Sequence, residues 1–284
     1  MKVRILSGII AALFAIGMLV ILQTIVPVLI LMPICALATF EILRTAKITN
    51  KGIQGLSMAV SLVMPLILEY DLIDKSPLPL AAWLVLFCLC LLVLMLAQYE
   101  KTKFEHVAIA LYAALFIPFA ISGLVLVRKM HIFYPAYFQQ SHSLFFVLTA
   151  LTSCWMTDTG AFFFGSKFGK HKLAPKISPK KSVEGALGGI FMNVLVNVII
   201  FLICSRFYFV IDSVKIWMVI LFSAVFSVVS MLGDLSASVI KRNYGAKDFG
   251  KIMPGHGGAM DRFDSYSFVM PLMWIVLTAA MKQA

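Results

Sequence analysis

Charge is scarce in this sequence. Only 13% of its 284 residues are Asp, Glu, Lys or Arg, about half the share of an ordinary soluble domain. Apolar residues make up 61%, and the mean hydropathy is +0.97. That balance excludes a water-soluble globular fold and leaves a polytopic, all-α membrane protein. Cysteine is scarce too. Cys35, Cys88, Cys90, Cys154 and Cys204 all lie in apolar stretches. Cys88 and Cys90 are the closest pair, and on a helix they would diverge, so all five read as packing residues and no cysteine metal site is expected. Charge is absent altogether from 5 to 40. As one helix that stretch would be about 54 Å long against a hydrocarbon core of roughly 30 Å, so two spans joined near Gln23-Thr24 are expected. The opening Met-Lys-Val-Arg followed by an apolar run is leader-like, but no convincing cleavage site follows, and the segment is expected to stay.

Nine membrane helices are expected, at about 5–22, 25–43, 55–70, 80–98, 106–127, 143–165, 186–205, 216–240 and 265–281. Pro27, Pro33, Pro65, Pro118 and Pro271 should kink rather than forbid them. With the N-terminus in the cytoplasm, 18 of the 24 Lys and Arg fall on the cytoplasmic side, which favours that orientation. No internal repeat stands out, so 1–284 is read as a single membrane domain. Its first 140 residues look like scaffold, and 155–264 holds the chemistry with two cytoplasmic loops.

Two carboxylates lie inside spans. Asp158 stands seven residues before Gly165, and Asp234 seven before Lys241. At 1.5 Å per residue both lie roughly 10 Å below the cytoplasmic edge. A charge there usually marks a polar cavity; structural pairing with a lysine is the alternative, and a proton- or ion-coupled transporter would use such acids as well. Ser238, one turn beyond Asp234, could add an oxygen ligand.

The loops are more specific. The first, 166–185, holds six lysines, and Ser178-Pro179-Lys180-Lys181-Ser182 reads as a helix entry. Lys180 and Lys181 are candidates for a polyphosphate, whereas Lys167, Lys170 and Lys172 fit an anchor for anionic lipid heads. Glu184 could orient a lysine or face solvent. The second stretch, 238–264, is dense in Lys, Arg, Gly and Asp. Gly257 and Gly258 would let backbone approach a ligand. Asp261 and Asp264 stand three apart, on one face if helical, and suit a divalent cation. Lys241, Arg242 and Arg262 can neutralise phosphate. For His256 two readings stand, phosphate or proton contact and backbone organisation. His106, His131, His142 and His171 have no comparable neighbours.

With these residues in view the chain resembles the phosphatidate cytidylyltransferases (CDP-diacylglycerol synthases). Ser238, Lys241, Arg242, Lys247, Asp248, Gly250, Pro254, His256, Gly257, Gly258, Asp261, Arg262 and Asp264 match that family's C-terminal signature in register. Met253 and Ala259 depart mildly, where bulkier or branched apolar residues are usual. Gly233-Asp234-Leu235 with Ser238, Asp158-Thr159-Gly160-Ala161, and Ser178 to Gly185 are similar to its upstream elements, with Ser182 for the common Thr. The resemblance covers roughly 155–264.

The resemblance implies transfer of CMP from CTP to phosphatidic acid, giving CDP-diacylglycerol and pyrophosphate for phospholipid synthesis. It implies magnesium, with a second cation as a further aid, held by Asp234, Asp261, Asp264 and Asp158. Lys241, Arg242, His256 and Arg262 are the implied catalytic groups, and Ser178, Lys180, Lys181, Lys247, Gly257 and Gly258 the implied substrate-binding ones. Asp248 would orient Lys247 or Arg242. The expected partners are CTP, phosphatidic acid and membrane lipids, with no nucleic acid. Enzymes of this kind often pair as homodimers, though no face of this sequence argues for it. A bacterial inner membrane with the active site facing the cytoplasm is expected. A related CTP-dependent enzyme acting on another lipid acceptor is the competing enzymatic reading, and a noncatalytic scaffold the other.

Overall fold

The structure is a computed structural model and describes residues 16–207, 214–251 and 257–283. Helices dominate. They are α1 (Val26–Thr45), α2 (Lys51–Tyr70), α3 (Leu80–Ala97), α4 (Phe104–Leu111), α5 (Ile117–Ile121), α6 (Gly123–Arg128), α7 (Met130–Phe133), α8 (Gln140–Phe168), α9 (Val183–Phe207), α10 (Ile216–Asn243), α11 (Met260–Phe263) and α12 (Tyr266–Gln283). One small hairpin interrupts them, β1 (Lys172–Ala174) against β2 (Ser178–Ser182).

Six described segments are long and apolar enough to cross a membrane: α1, α2, α3, Phe104–Arg128, Val183–Arg206 and α10. Three of the nine expected spans are not among these six. The segment 5–22 lies largely outside the described residues. The span expected at 143–165 is present as α8, but its Thr and Ser residues and Asp158 dilute its hydropathy. The last, at 265–281, is α12, whose apolar part Tyr266–Ala280 is shorter than the others.

The chain forms two compact units. The first runs up to Leu126 and takes back Asn243–Phe263; the second is Val127–Arg242 with the residues from Asp264 onward.

In the first unit, local chemistry sets the helix ends. Asn50 caps α2 by accepting from Gly52 N and Ile53 N, which satisfies amides a helix start leaves open. Pro118 explains the wide turn between α4 and α5. Tyr112–Phe116 has π-helical winding, with Ile117 N donating to Tyr112 O. In that register Pro118, which has no N–H, leaves the Ala113 carbonyl for another donor. Thr39 Oγ1 of α1 supplies it at 2.7 Å. The helix is thus bent and sealed by a hydroxyl from its neighbour.

In the second unit, glycines let α8 and α9 approach closely. A Cβ on Gly160 would stand 2.8 Å from Gly188 O, one on Gly185 2.8 Å from Ala161 O, and one on Gly189 2.5 Å from Thr157 O. Small residues at helix contacts are how membrane helices gain packing where the hydrophobic effect gives no drive. A buried polar ladder adds to this. Asn193 Nδ2 reaches Ser153 Oγ, Ser223 O and Ser227 Oγ, and Asn197 Nδ2 reaches Ser153 Oγ, Asn193 Oδ1 and Ser223 Oγ. Each such bond contributes about 0.6 kcal/mol in membrane helices, and together they tie α8, α9 and α10 in one register.

Gly189→Val should therefore lower the apparent unfolding midpoint in detergent by more than about 5 °C. Gly55→Val on α2, where a Cβ meets nothing within 4 Å, should leave it unchanged. Thermal unfolding of the two purified variants beside the parent protein checks the contrast.

Candidate functional site

The second unit gathers most of the sequence-derived acids and bases. Gly233 of α10 has no side chain because the chain at 264–268 lies against it; a Cβ there would be 2.7 Å from Asp264 O and 3.1 Å from Ser265 Cα. That approach brings Asp264 beside Asp234. Asp158 of α8 acts on the same place. Burial, then the Asp234 carboxylate, push the Asp264 carboxyl up to about 7, with Asp158 adding and Ser265 N and Lys241 opposing. Carboxylates so placed call for a proton or a cation. Lys181 forms an ion pair with Asp234, both partly sheltered from solvent. Lys241 and Ser238 are buried on α10, whereas Arg242 is exposed.

The lysine loop is a hairpin whose second strand leads straight into the expected helix entry, where Ser182 Oγ accepts from Gly185 N at 3.1 Å. Ser178–Ser182 is strand β2, paired antiparallel to β1 with Lys172 opposite Ser182 and Ala174 opposite Ser178. Pro179 favours extended backbone, and α9 begins only at Val183. A strand's period of two then separates neighbours: Lys180 is exposed, while Lys181 turns inward to Asp234. Glu184 neither orients a lysine nor simply faces solvent. It accepts from Lys170 N at 3.1 Å and His171 N at 3.2 Å, and meets His171 Nδ1 at 2.6 Å. His171, given no part by the sequence, helps close the hairpin.

The glycine segment belongs to the first unit. Gly257 has φ +85°, a conformation that favours glycine. Asp261, 8% exposed, turns back over it: Oδ2 accepts from Gly258 N and Phe249 N, both at 2.9 Å. A second carboxylate takes the next two amides. Glu41 of α1 accepts from Ala259 N at 3.1 Å and Met260 N at 2.8 Å. A Cβ at Gly258 would stand 2.3 Å from Glu41 Oε1, and one at Gly257 2.7 Å from Asp261 Oδ2. The space that glycine opens is thus filled by the protein's own carboxylates. Sequence reasoning missed Glu41. Its one signal was an acid near the end of an otherwise apolar span.

The helical face expected for Asp261 and Asp264 does not form, because α11 ends at Phe263. Asp261 falls in the first unit and Asp264 in the second. Lys247 and Arg262 are exposed, Ser178 is half-buried, and His256 and Pro254 lie outside the described residues. Among the described residues no three His, Cys, Asp or Glu side chains stand close enough together to hold a metal by themselves.

Comparison with known proteins gives the family. The model of the Cytidylyltransferase family matches residues 2–280. The phosphatidate cytidylyltransferase of Staphylococcus aureus (strain COL) is 34% identical over 278 residues, covering 98% of this chain and 99% of that protein. That of Bacillus subtilis (strain 168) is 34% identical over 283 residues, covering 98% and 97%. That of Staphylococcus haemolyticus (strain JCSC1435) is 39% identical over 147 residues, a stretch spanning about half of each chain (50% and 52%). The chain belongs to the cytidylyltransferase family, as a nucleotidyltransferase related over nearly its whole length to phosphatidate cytidylyltransferases.

Proposed function

We propose that this chain transfers CMP from CTP to phosphatidic acid, releasing pyrophosphate and leaving CDP-diacylglycerol in the membrane. A phosphate oxygen of the lipid attacks the α-phosphorus of CTP. The new P–O bond forms as the bond to the oxygen bridging the β-phosphorus breaks, and pyrophosphate departs with that electron pair. The nucleophile is already anionic, so no strong general base is needed. The work falls on positioning and charge neutralisation.

The observation that carries this reading is the Asp234–Lys181 pair, with Asp264, Asp158 and Lys241 within electrostatic reach. Cations suit the polyphosphate, and the carboxylates suit a hard divalent ion. Magnesium takes one or two carboxylates and completes its shell with phosphate oxygens and water, so the donor set fits without an all-protein cage. Asp234, Asp264 and Asp158 would hold it. When bound it supplies charge neutralisation across the phosphates. Lys180, Lys181, Lys241 and Arg242 then orient the substrates and balance their charge. Lys247, Arg262 and His256 of the signature sequence are proposed as further substrate groups on the resemblance. Asp261 already orders the glycine segment through Oδ2, and its carboxylate is proposed as a metal ligand on the resemblance. The excess of Lys and Arg in the loops supports a cytoplasmic site, where CTP is, and the bacterial relatives support an inner membrane.

Purified protein in mixed micelles with labelled CTP, phosphatidic acid and magnesium should produce lipid-linked CMP and lose that product with EDTA. No product beside an active family member refutes the reading. Asp234→Asn and Asp261→Asn should each lower kcat by at least about 100-fold while the protein stays monodisperse. Near-normal turnover at saturating magnesium removes that residue from the ligand set. Lys181→Ala should cost at least tenfold more kcat/KM than Lys180→Ala, because only Lys181 reaches Asp234. Equal losses would show that the pair has no part in turnover.

A further inference from the structure

Glu41 is 3% exposed and sits inside the apolar helix α1. A carboxylate there is costly unless donors meet it. It is met by two amides at a sequence separation of 218 and 219 residues, Ala259 N and Met260 N. One turn further along α1, Thr45 Oγ1 donates to Phe249 O at 3.4 Å. Phe249 N in turn donates to Asp261 Oδ2. One face of α1 therefore grips the signature segment at both ends, by its amides at 259–260 and by its carbonyl at 249. The fit is tight on the other side as well. A Cβ on Gly250 would lie 1.9 Å from Glu41 Oε1, and one on Gly258 2.3 Å from it.

We propose that Glu41 is a positioning residue of the nucleotidyl transfer, its carboxylate seating the glycine segment that carries Asp261 and Arg262; this rests on the function proposed above. Glu41 acts through backbone and has no contact with substrate. It explains why the segment needs glycine at 250 and 258: the side-chain space there belongs to Glu41. It also means that the amides of Ala259 and Met260, which in a phosphate-holding loop would face the ligand, are turned to the protein. The segment is fixed from behind, and its substrate contacts come from side chains.

The test combines turnover with a local readout. Glu41→Gln keeps the volume but replaces one acceptor oxygen with a donor that opposes the amides. Hydrogen exchange at Ala259 and Met260 should rise at least tenfold with exchange in α2 unchanged. The value of kcat should fall at least tenfold, with KM for CTP and phosphatidic acid within about threefold of the parent, and Glu41→Asp should restore part of it. Gly250→Ala, which leaves the carboxylate intact but displaces it, should reproduce the kcat loss. In a Glu41→Ala background the same glycine change should cost less than tenfold further, because the clash is gone. Normal kcat with raised local exchange overturns the positioning role. Unchanged exchange overturns the seating itself. If Glu41→Gln loses its fold, Gly250→Ala decides: a kcat loss at an unchanged unfolding midpoint supports the role, and parent-like turnover refutes it. Failure of the parent protein to make CDP-diacylglycerol would refute the functional reading instead, and exchange at 259–260 would still decide the seating.

Discussion

An ionised carboxylate within or beside a membrane span is tolerable only where donors or a cation meet it. This chain has few acids, and the described ones that leave water find specific partners. Asp234 meets Lys181. Asp261 meets two amides of its own segment, and Glu41 two more. Each pairing fixes backbone as well as charge, because each partner lies far along the chain or on a turn. The hairpin, the glycine segment and the end of α10 are held in place by the need to neutralise these groups.

Glycine is the second half of the same solution. At Gly233 the missing side chain lets the chain at 264–268 lie on α10, and at Gly250 and Gly258 it leaves room for Glu41. At Gly160, Gly185 and Gly189 it brings α8 and α9 into backbone contact, which aligns the polar ladder of Asn193 and Asn197. The glycines of the signature and those of the helix pair thus answer different demands: close approach of a carboxylate in one case, close approach of two helices in the other.

Much of this was legible in the sequence. Apolar runs gave the spans, and the shared depth of Asp158 and Asp234 pointed to the end of the helices where Asp264 also acts. What could not be read was pairing over distance. Glu41 sits just after a charge-free stretch and just before Arg44, so it looks like an interfacial residue, and nothing in local periodicity links it to Ala259. The hairpin at 172–182 was hidden because a run of lysines shows no alternation of apolar and polar residues, although Pro179 was a hint of extended backbone. The helix expected at 143–165 is present as α8, but a row of hydroxyl residues that serves helix contacts lowers its hydropathy below that of its neighbours and keeps it out of the six. The short α11 cut the helical face assumed for Asp261 and Asp264.

The long separation between Glu41 and its amide partners has a consequence for biosynthesis. At about 5–20 residues per second, α1 emerges roughly 10–45 s before Ala259 exists to receive its carboxylate. For that interval the nascent first unit carries an acid with its final partners still unmade. Until the chain returns with Ala259 and Met260, the Glu41 carboxylate has to be met by water or a proton instead. The last-made part of the first unit is thus the clasp that closes on α1, made some two hundred residues earlier.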